Sequence, residues 1–274
     1  MAYCYEKKTD RKGNIYIEIT GYEGSIRHLV IPGMIENIPV RSIGKYAFSG
    51  RGDLCSLTLP ETIDTLGRQA FYNCKNLTTL SLFDSVEDYY DGVIKQCGNL
   101  HAITLYQNRN SFSVMKELLA DNDRMLHFCV EPMGLHLTFP AYVYDFVEDV
   151  EARVLHHKIE GSGYPYRECV TRKGVDLLAY DRLFSHAADD DYRAAIDIAL
   201  DRLMYPLELE TQAREWYEQY LEKNVNIVLE RLIEDGRCEE VIILCDLCLI
   251  SRDAIEPALQ LAAREKQSAI TAQL

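Results

Sequence analysis

No run in this 274-residue sequence is long and apolar enough to cross a bilayer as a helix, so no membrane insertion is expected. The opening Met-Ala-Tyr-Cys-Tyr-Glu-Lys-Lys has no apolar centre of the kind a secretory signal needs. The sequence as it stands therefore reads as cytoplasmic; the cell surface is the alternative if the natural chain carries an export signal outside it. Basic residues are scarce: 29 Lys and Arg stand against 43 Asp and Glu, a net charge of −14. Such a surface repels phosphate backbones, which removes nucleic acid from the expected partners. The nine cysteines are odd in number and scattered, so they make no disulfide framework and read as small buried hydrophobes of a reduced compartment.

Signatures of catalysis are missing too. No nucleophile motif marks a serine, a histidine and an acid as a triad. Gly161-Ser162-Gly163 has neither the lysine nor the strand–loop–helix setting of a phosphate loop, and reads as a flexible connector. Cys245-x-x-Cys248, with Cys238 nearby, has metal-like spacing, but no second close pair completes a four-ligand zinc site. Two thiols in the core of an apolar helix are the plainer reading. His156 and His157 follow Glu148, Asp149 and Glu151 in an expected helix, where adjacent side chains point about 100° apart and cannot chelate together. The run from His186 to Asp191 reads as a solvated loop whose last aspartate caps the following helix. No catalytic residue, cofactor or metal ligand is expected.

What the chain does contain is a repeat. Ser42–Phe48 (Ser-Ile-Gly-Lys-Tyr-Ala-Phe) returns 23 residues later as Thr65–Phe71 (Thr-Leu-Gly-Arg-Gln-Ala-Phe). Leu54, Leu57 and Leu59 return as Leu77, Leu80 and Leu82, then as Leu100, Ile103 and Leu105. A fixed period of this length signals a solenoid, in which each unit buries its apolar face only against a neighbour. Period-2 alternation in each short strand turns Leu57 and Leu59 inward and their neighbours outward. Gly44 and Gly67 are read as allowing a tight bend, with Phe48 and Phe71 filling the space behind the sheet. The third unit degrades, with Tyr90, Val93 and Ile94 in place of Gly, Ala and Phe, as terminal repeats do. Strands at Asn14–Glu23 and Leu29–Ile31 are expected to cap the first unit.

The pattern Ile31-Pro32, then Val-x-Ser-Ile-Gly-x-x-Ala-Phe over Val40–Phe48, with Leu57-Thr58-Leu59-Pro60 and Leu66-Gly67-x-x-Ala70-Phe71, resembles the BspA-like leucine-rich repeats over roughly residues 10–106. The resemblance implies a right-handed solenoid of short strands and irregular turns, here of three or four units. It also implies a recognition role, because members of that family are often adhesive or interaction proteins.

From about Ser111 the apolar period becomes helical. Helices are expected near Ser113–Ala120, Ala141–His157, Val175–His186, Tyr192–Tyr205 and Glu208–Lys223, and again around Val228–Leu232 before Gly236. Val241–Ile250, apolar almost all round, is expected to be the most buried. Asp253 and Glu256 suggest a capping pair for a further helix. Leu259–Ala263 with Ile270–Leu274 is similar to the helix pair of an ankyrin repeat. Charge divides with the period: Met1–Asn108 carries 11 basic and 12 acidic residues, and Arg109–Leu274 carries 18 and 31. The expected fold class is thus α+β: a leucine-rich-repeat solenoid with its cap over residues 1–108, then an acidic all-helical domain of helix pairs over residues 109–274.

The expected function is non-enzymatic protein–protein interaction, with a protein as partner. The alternatives are a surface or secreted adhesin and a thiol- or metal-dependent regulatory protein. The candidate partner-binding face follows from strand parity: His28, Val30, Ser56, Thr58, Thr79, Ser81, Ala102 and Thr104, a small, neutral, hydroxyl-rich column. Tyr89 and Tyr90, Tyr142 and Tyr144, and Tyr164 and Tyr166 form tyrosine clusters suited to an interface or to packing between modules.

Overall fold

A computed structural model of the chain describes the backbone of residues 2–149 and 154–274 and the side chains of residues 3–144 and 159–274. Ala2–Thr9 (β1) and Ile15–Glu23 (β2) form an antiparallel hairpin; the sequence reading anticipated its second strand only. The chain then coils through His28–Val30 (β3), Met34–Ile35 (β4), Ile38–Ile43 (β5), Ser56–Thr58 (β6), Thr65–Leu66 (β7), Thr79–Phe83 (β8), Asp88–Tyr89 (β9) and Ala102–Tyr106 (β10). Alternate strands fall into two sheets. One runs β1-β2-β5-β7-β9, with β4 paired to β5, and the other continues β3-β6-β8-β10 in parallel. The expected 23-residue solenoid is present.

Its core is the inward parity. Leu57, Leu80 and Ile103 are register partners and all are buried. Phe48 and Phe71 stack behind the sheet, ring centroids 5.3 Å apart and planes 7° from parallel. The period also places Cys74 and Cys97, whose buried thiols donate to Phe48 O and Phe71 O one turn back. Gly67 is required by closeness: an added Cβ would come within 2.7 Å of Ile43 O and the backbone of Gly44 and Lys45. Successive turns touch there, so the reason for glycine is contact between units and not the bend itself.

Beyond β10 the chain forms Ser113–Asp121 (α1), Leu126–Glu131 (β11) and Leu135–Phe139 (β12). Strand β11 pairs in parallel with β10, and β12 turns back antiparallel to β11, completing a six-stranded sheet. The boundary expected at residues 108/109 therefore falls inside a continuous sheet. The period stretches there to pair Ala102 with His127, because α1 fills the return, and a 23-residue template loses the strand. The degraded third unit meets α1 in place of another repeat: Asp121 accepts from Tyr89 Oη (2.8 Å), Gly92 N (3.2 Å) and Ile94 N (3.0 Å).

The helix expected over Ala141–His157 is instead two antiparallel strands, Val143–Asp149 (β13) and Val154–Glu160 (β14). Valine and aromatic residues favour strands, and here that preference prevails over the apolar spacing. Gly163–Glu168 (α2), Leu177–Arg182 (α3) and Phe184–Asp190 (α4) follow. Residues 109–191 are therefore not all helical. Gly163 is no flexible connector either: it opens α2 against Pro140, whose carbonyl oxygen would lie 2.1 Å from an added Cβ.

The chain divides into two compact units, Met1–Asp191 and Tyr192–Leu274. The second is helical: Tyr192–Met204 (α5), Thr211–Lys223 (α6), Val225–Glu234 (α7), Cys238–Asp246 (α8), Arg252–Arg264 (α9) and Ser268–Thr271 (α10). Helix α5 packs on α6 and α8, and α7 packs on α6, α8 and α9. Gly236, at φ 69°, ends α7 as the sequence suggests, with Arg237 N bonded back to Leu232 O. The most buried helix is α5, where Ala194–Leu200 are all buried; in the stretch expected to hold that place, only Val241, Leu244 and Leu249 are. Burial of α5 is made possible by pairing its one buried carboxylate: Asp197 accepts from Arg231 Nη2 at 2.6 Å and Arg237 Nη1 at 2.5 Å.

Candidate functional site

Strand parity builds a face from the residues upward. With the leucines of β6, β8 and β10 turned to the core, the residues between them line the opposite side of the sheet. The register joins His28, Ser56, Thr79 and Ala102 in one rung and Val30, Thr58, Ser81 and Thr104 in the next. His28, Val30, Thr58 and Thr79 are exposed, and Ser56, Ser81, Ala102 and Thr104 are half-buried between neighbouring strands. His28 Nδ1 and Ser56 Oγ lie 2.8 Å apart, a hydrogen bond along the first rung.

Both rungs run further than the sequence reading took them. The first continues to His127 and Thr138, the second to Cys129 and His136. A third rung aligns Phe83, Tyr106 and Glu131, and the Phe83 and Tyr106 rings lie against one another, centroids 5.1 Å apart and planes tilted by 32°. The face is thus not uniformly small and neutral: an aromatic pair borders it and a polar cluster closes it. The repeat period carries a signal for the aromatics, since Phe83 and Tyr106 follow Leu82 and Leu105 at the same spacing. Nothing comparable marks the cluster, because Cys129 and His136 meet only when β12 folds back on β11.

In that cluster the donor atoms of Cys129, Glu131 and His136 all lie within 4.8 Å of one another. Cys129 Sγ is 3.4 Å from His136 Nε2 and 3.5 Å from Glu131 Oε1. Beside it, His127 Nδ1 lies 2.8 Å from Thr138 Oγ1. Burial lowers the pKa of His136, against an opposing pull from the Glu131 carboxylate.

Residues 22–116 match the BspA type leucine-rich repeat region in six copies. Over that span the chain is a BspA-type leucine-rich repeat region. No curated protein matches the chain. Among solved structures it is similar to a leucine-rich repeat protein from Bacteroides ovatus, at 21% identity and TM-score 0.31 over 38% of this chain and 30% of that one. A leucine-rich cell surface protein from Faecalibacterium prausnitzii matches at 19% identity and TM-score 0.27, over 39% of this chain and 45% of the other. A third, from Bacteroides capillosus, matches at 21% identity and TM-score 0.28, over 38% and 79%. The chain spans less than half the length of the first two.

The remaining candidates scatter around and beyond the repeat region. Tyr89 and Tyr166 are packing groups, the first bonded to Asp121 and the second fully buried against Tyr180. Tyr142 and Tyr144 line a cleft of about 610 Å³ with Lys95, Asp123 and Arg124, and Tyr142 contacts Tyr164 edge to face. Tyr90 is exposed. Cys245 and Cys248 do not share a helix face: α8 ends at Asp246, and Cys248 is exposed with φ 56°. Among the described residues no three-ligand cluster forms around them. His186 to Asp190 belong to α4 and not to a loop, and Asp190 accepts from Ser162 N. The side chains of His156 and His157 lie outside the described residues, as do those of Glu148, Asp149 and Glu151; the backbone at both histidines is strand β14. No described helix is long and apolar enough to cross a membrane.

Proposed function

We propose that the chain is a non-enzymatic protein-interaction module whose repeat region holds a protein partner on the sheet face of β3, β6, β8 and β10. The observation that carries this reading is the pair of unbroken rungs, His28–Ser56–Thr79–Ala102 and Val30–Thr58–Ser81–Thr104. They put hydroxyl groups beside the Phe83–Tyr106 pair on a rigid hydrogen-bonded support. Leucine-rich repeat regions commonly serve as binding surfaces, and a rigid solenoid loses little conformational entropy when it binds. Aromatic anchors next to small polar groups are a favourable composition for a specific contact.

The test uses the full chain as bait. Thr58→Arg with Thr79→Arg changes two exposed positions, where substitutions usually cost little stability. A partner recovered by the wild type should be lost by this double variant and kept by a control, Lys75→Glu, on an exposed return turn. Equal recovery by the double variant would remove the sheet face from the interaction.

A further inference from the structure

We propose that Cys129, Glu131 and His136 form a binding site for a divalent ion of the zinc class. Cys129 and Glu131 are two residues apart on β11, so their side chains rise from one face. His136 on β12 stands directly across from Cys129 in the antiparallel register. All three are half-buried, and the site closes the row that begins with Val30 and Thr58.

The spacing is what an ion would demand. A tetrahedral zinc with sulfur at about 2.3 Å and nitrogen or oxygen at about 2.0–2.1 Å holds its sulfur roughly 3.5 Å from each lighter donor. The observed separations from Cys129 Sγ are 3.4 Å to nitrogen and 3.5 Å to oxygen. Without an ion the Cys129 thiol gives its proton to Glu131 and lies within hydrogen-bond reach of His136 Nε2; an ion would take the place of that proton and draw on all three groups at once. The ligand set selects the ion. Thiolate and imidazole beside a carboxylate suit zinc and its neighbours, while magnesium and calcium seek oxygen donors in larger number. The neutral imidazole and the thiolate are the forms that coordinate, so binding should weaken as pH falls. Three protein donors leave the fourth tetrahedral position to water.

The experiment is titration of the reduced full chain with Zn²⁺ by calorimetry and with Co²⁺ by absorbance. Single-site binding with a thiolate-to-cobalt charge-transfer band is expected. Cys129→Ser should abolish the band, and His136→Gln should weaken binding by more than about tenfold, the scale of ligand-shell losses. Cys248→Ser should leave both unchanged. A second measurement needs no variant: Zn²⁺ should protect Cys129 from alkylation in the wild type, read by peptide mass spectrometry, while exposed Cys248 reacts at the same rate throughout. Absent binding, a band that survives Cys129→Ser, or alkylation of Cys129 unaffected by Zn²⁺ would each overturn the assignment.

Discussion

Replacing Arg167 by methionine would remove a buried cation shared by five backbone carbonyls. Its Nε donates to Leu119 O at 3.1 Å, Nη1 to Pro140 O at 2.5 Å and Gly163 O at 2.9 Å, and Nη2 to Asn122 O at 3.2 Å and Arg124 O at 2.7 Å. Three of these acceptors lie at or just past the C-terminal end of α1, where a helix leaves its last carbonyls without intrahelical partners. Helix α1 has no basic residue in its own last turn, so α2 supplies the cation from across the fold. The Tyr142 ring lies 4.7 Å from the guanidinium carbon. Burial pulls the Arg167 pKa down to about 10, which still leaves it charged at pH 7. Each hydrogen bond from a charged donor contributes about 1.5–3 kcal/mol. Relief of the desolvated charge offsets part of that sum, and each carbonyl left buried without a donor costs about 1–3 kcal/mol, so a net loss of at least about 3 kcal/mol is expected. That is a large share of the stability of an ordinary domain, about 5–15 kcal/mol. Arg167→Lys keeps the charge but reaches fewer carbonyls from one point, so it should lose less. Urea unfolding of the full chain, followed by far-UV circular dichroism, measures both. A methionine variant within about 1 kcal/mol of wild type, below the usual cost of a core change, would mean that water satisfies those carbonyls and that the guanidinium is not what holds α1.

Leu80→Asp puts a charge between Leu57 and Ile103 in the inner rung, which should cost several kcal/mol; thermal unfolding equal to wild type would overturn the register. Burial raises the Asp121 carboxyl above its ordinary pKa despite the donors that face it. Folding then takes up a proton, so this group favours the fold below the ordinary carboxyl value of about 4 and loses that contribution as pH rises through the raised folded value. Asp121→Asn should therefore trail wild type most at acid pH and narrow the gap toward neutrality in thermal melts; a gap that widens with pH would reverse the sign.

The candidate face was half legible. Ser56, Thr58, Thr79, Ser81, Ala102 and Thr104 sit in a stretch where period and parity both repeat, so one correct strand assigns the others. His127, Cys129, Glu131 and His136 lie past α1, where the spacing breaks and no local pattern points back to the sheet. The same break moved the expected domain boundary. Between residues 141 and 157 a helical reading failed because apolar spacing over so short a stretch does not distinguish a helix from paired strands, and pairing is a nonlocal property.

What the sequence determined by itself is the solenoid. Each unit is short, its leucines recur at one spacing, and a neighbour of the same pattern is the only partner that can bury them, so local composition and long-range packing coincide. It likewise determined most helices after residue 191, where amphipathic period and stop signals such as Gly236 act within a few residues. Only the tertiary structure decided how the repeats end. Asp121 reaches back over the last turns, Arg167 gathers carbonyls from segments more than 40 residues away in sequence, and β12 brings His136 beside Cys129. Those arrangements depend on groups whose partners are set by where the chain returns, and nothing in the order of residues along one element specifies that return.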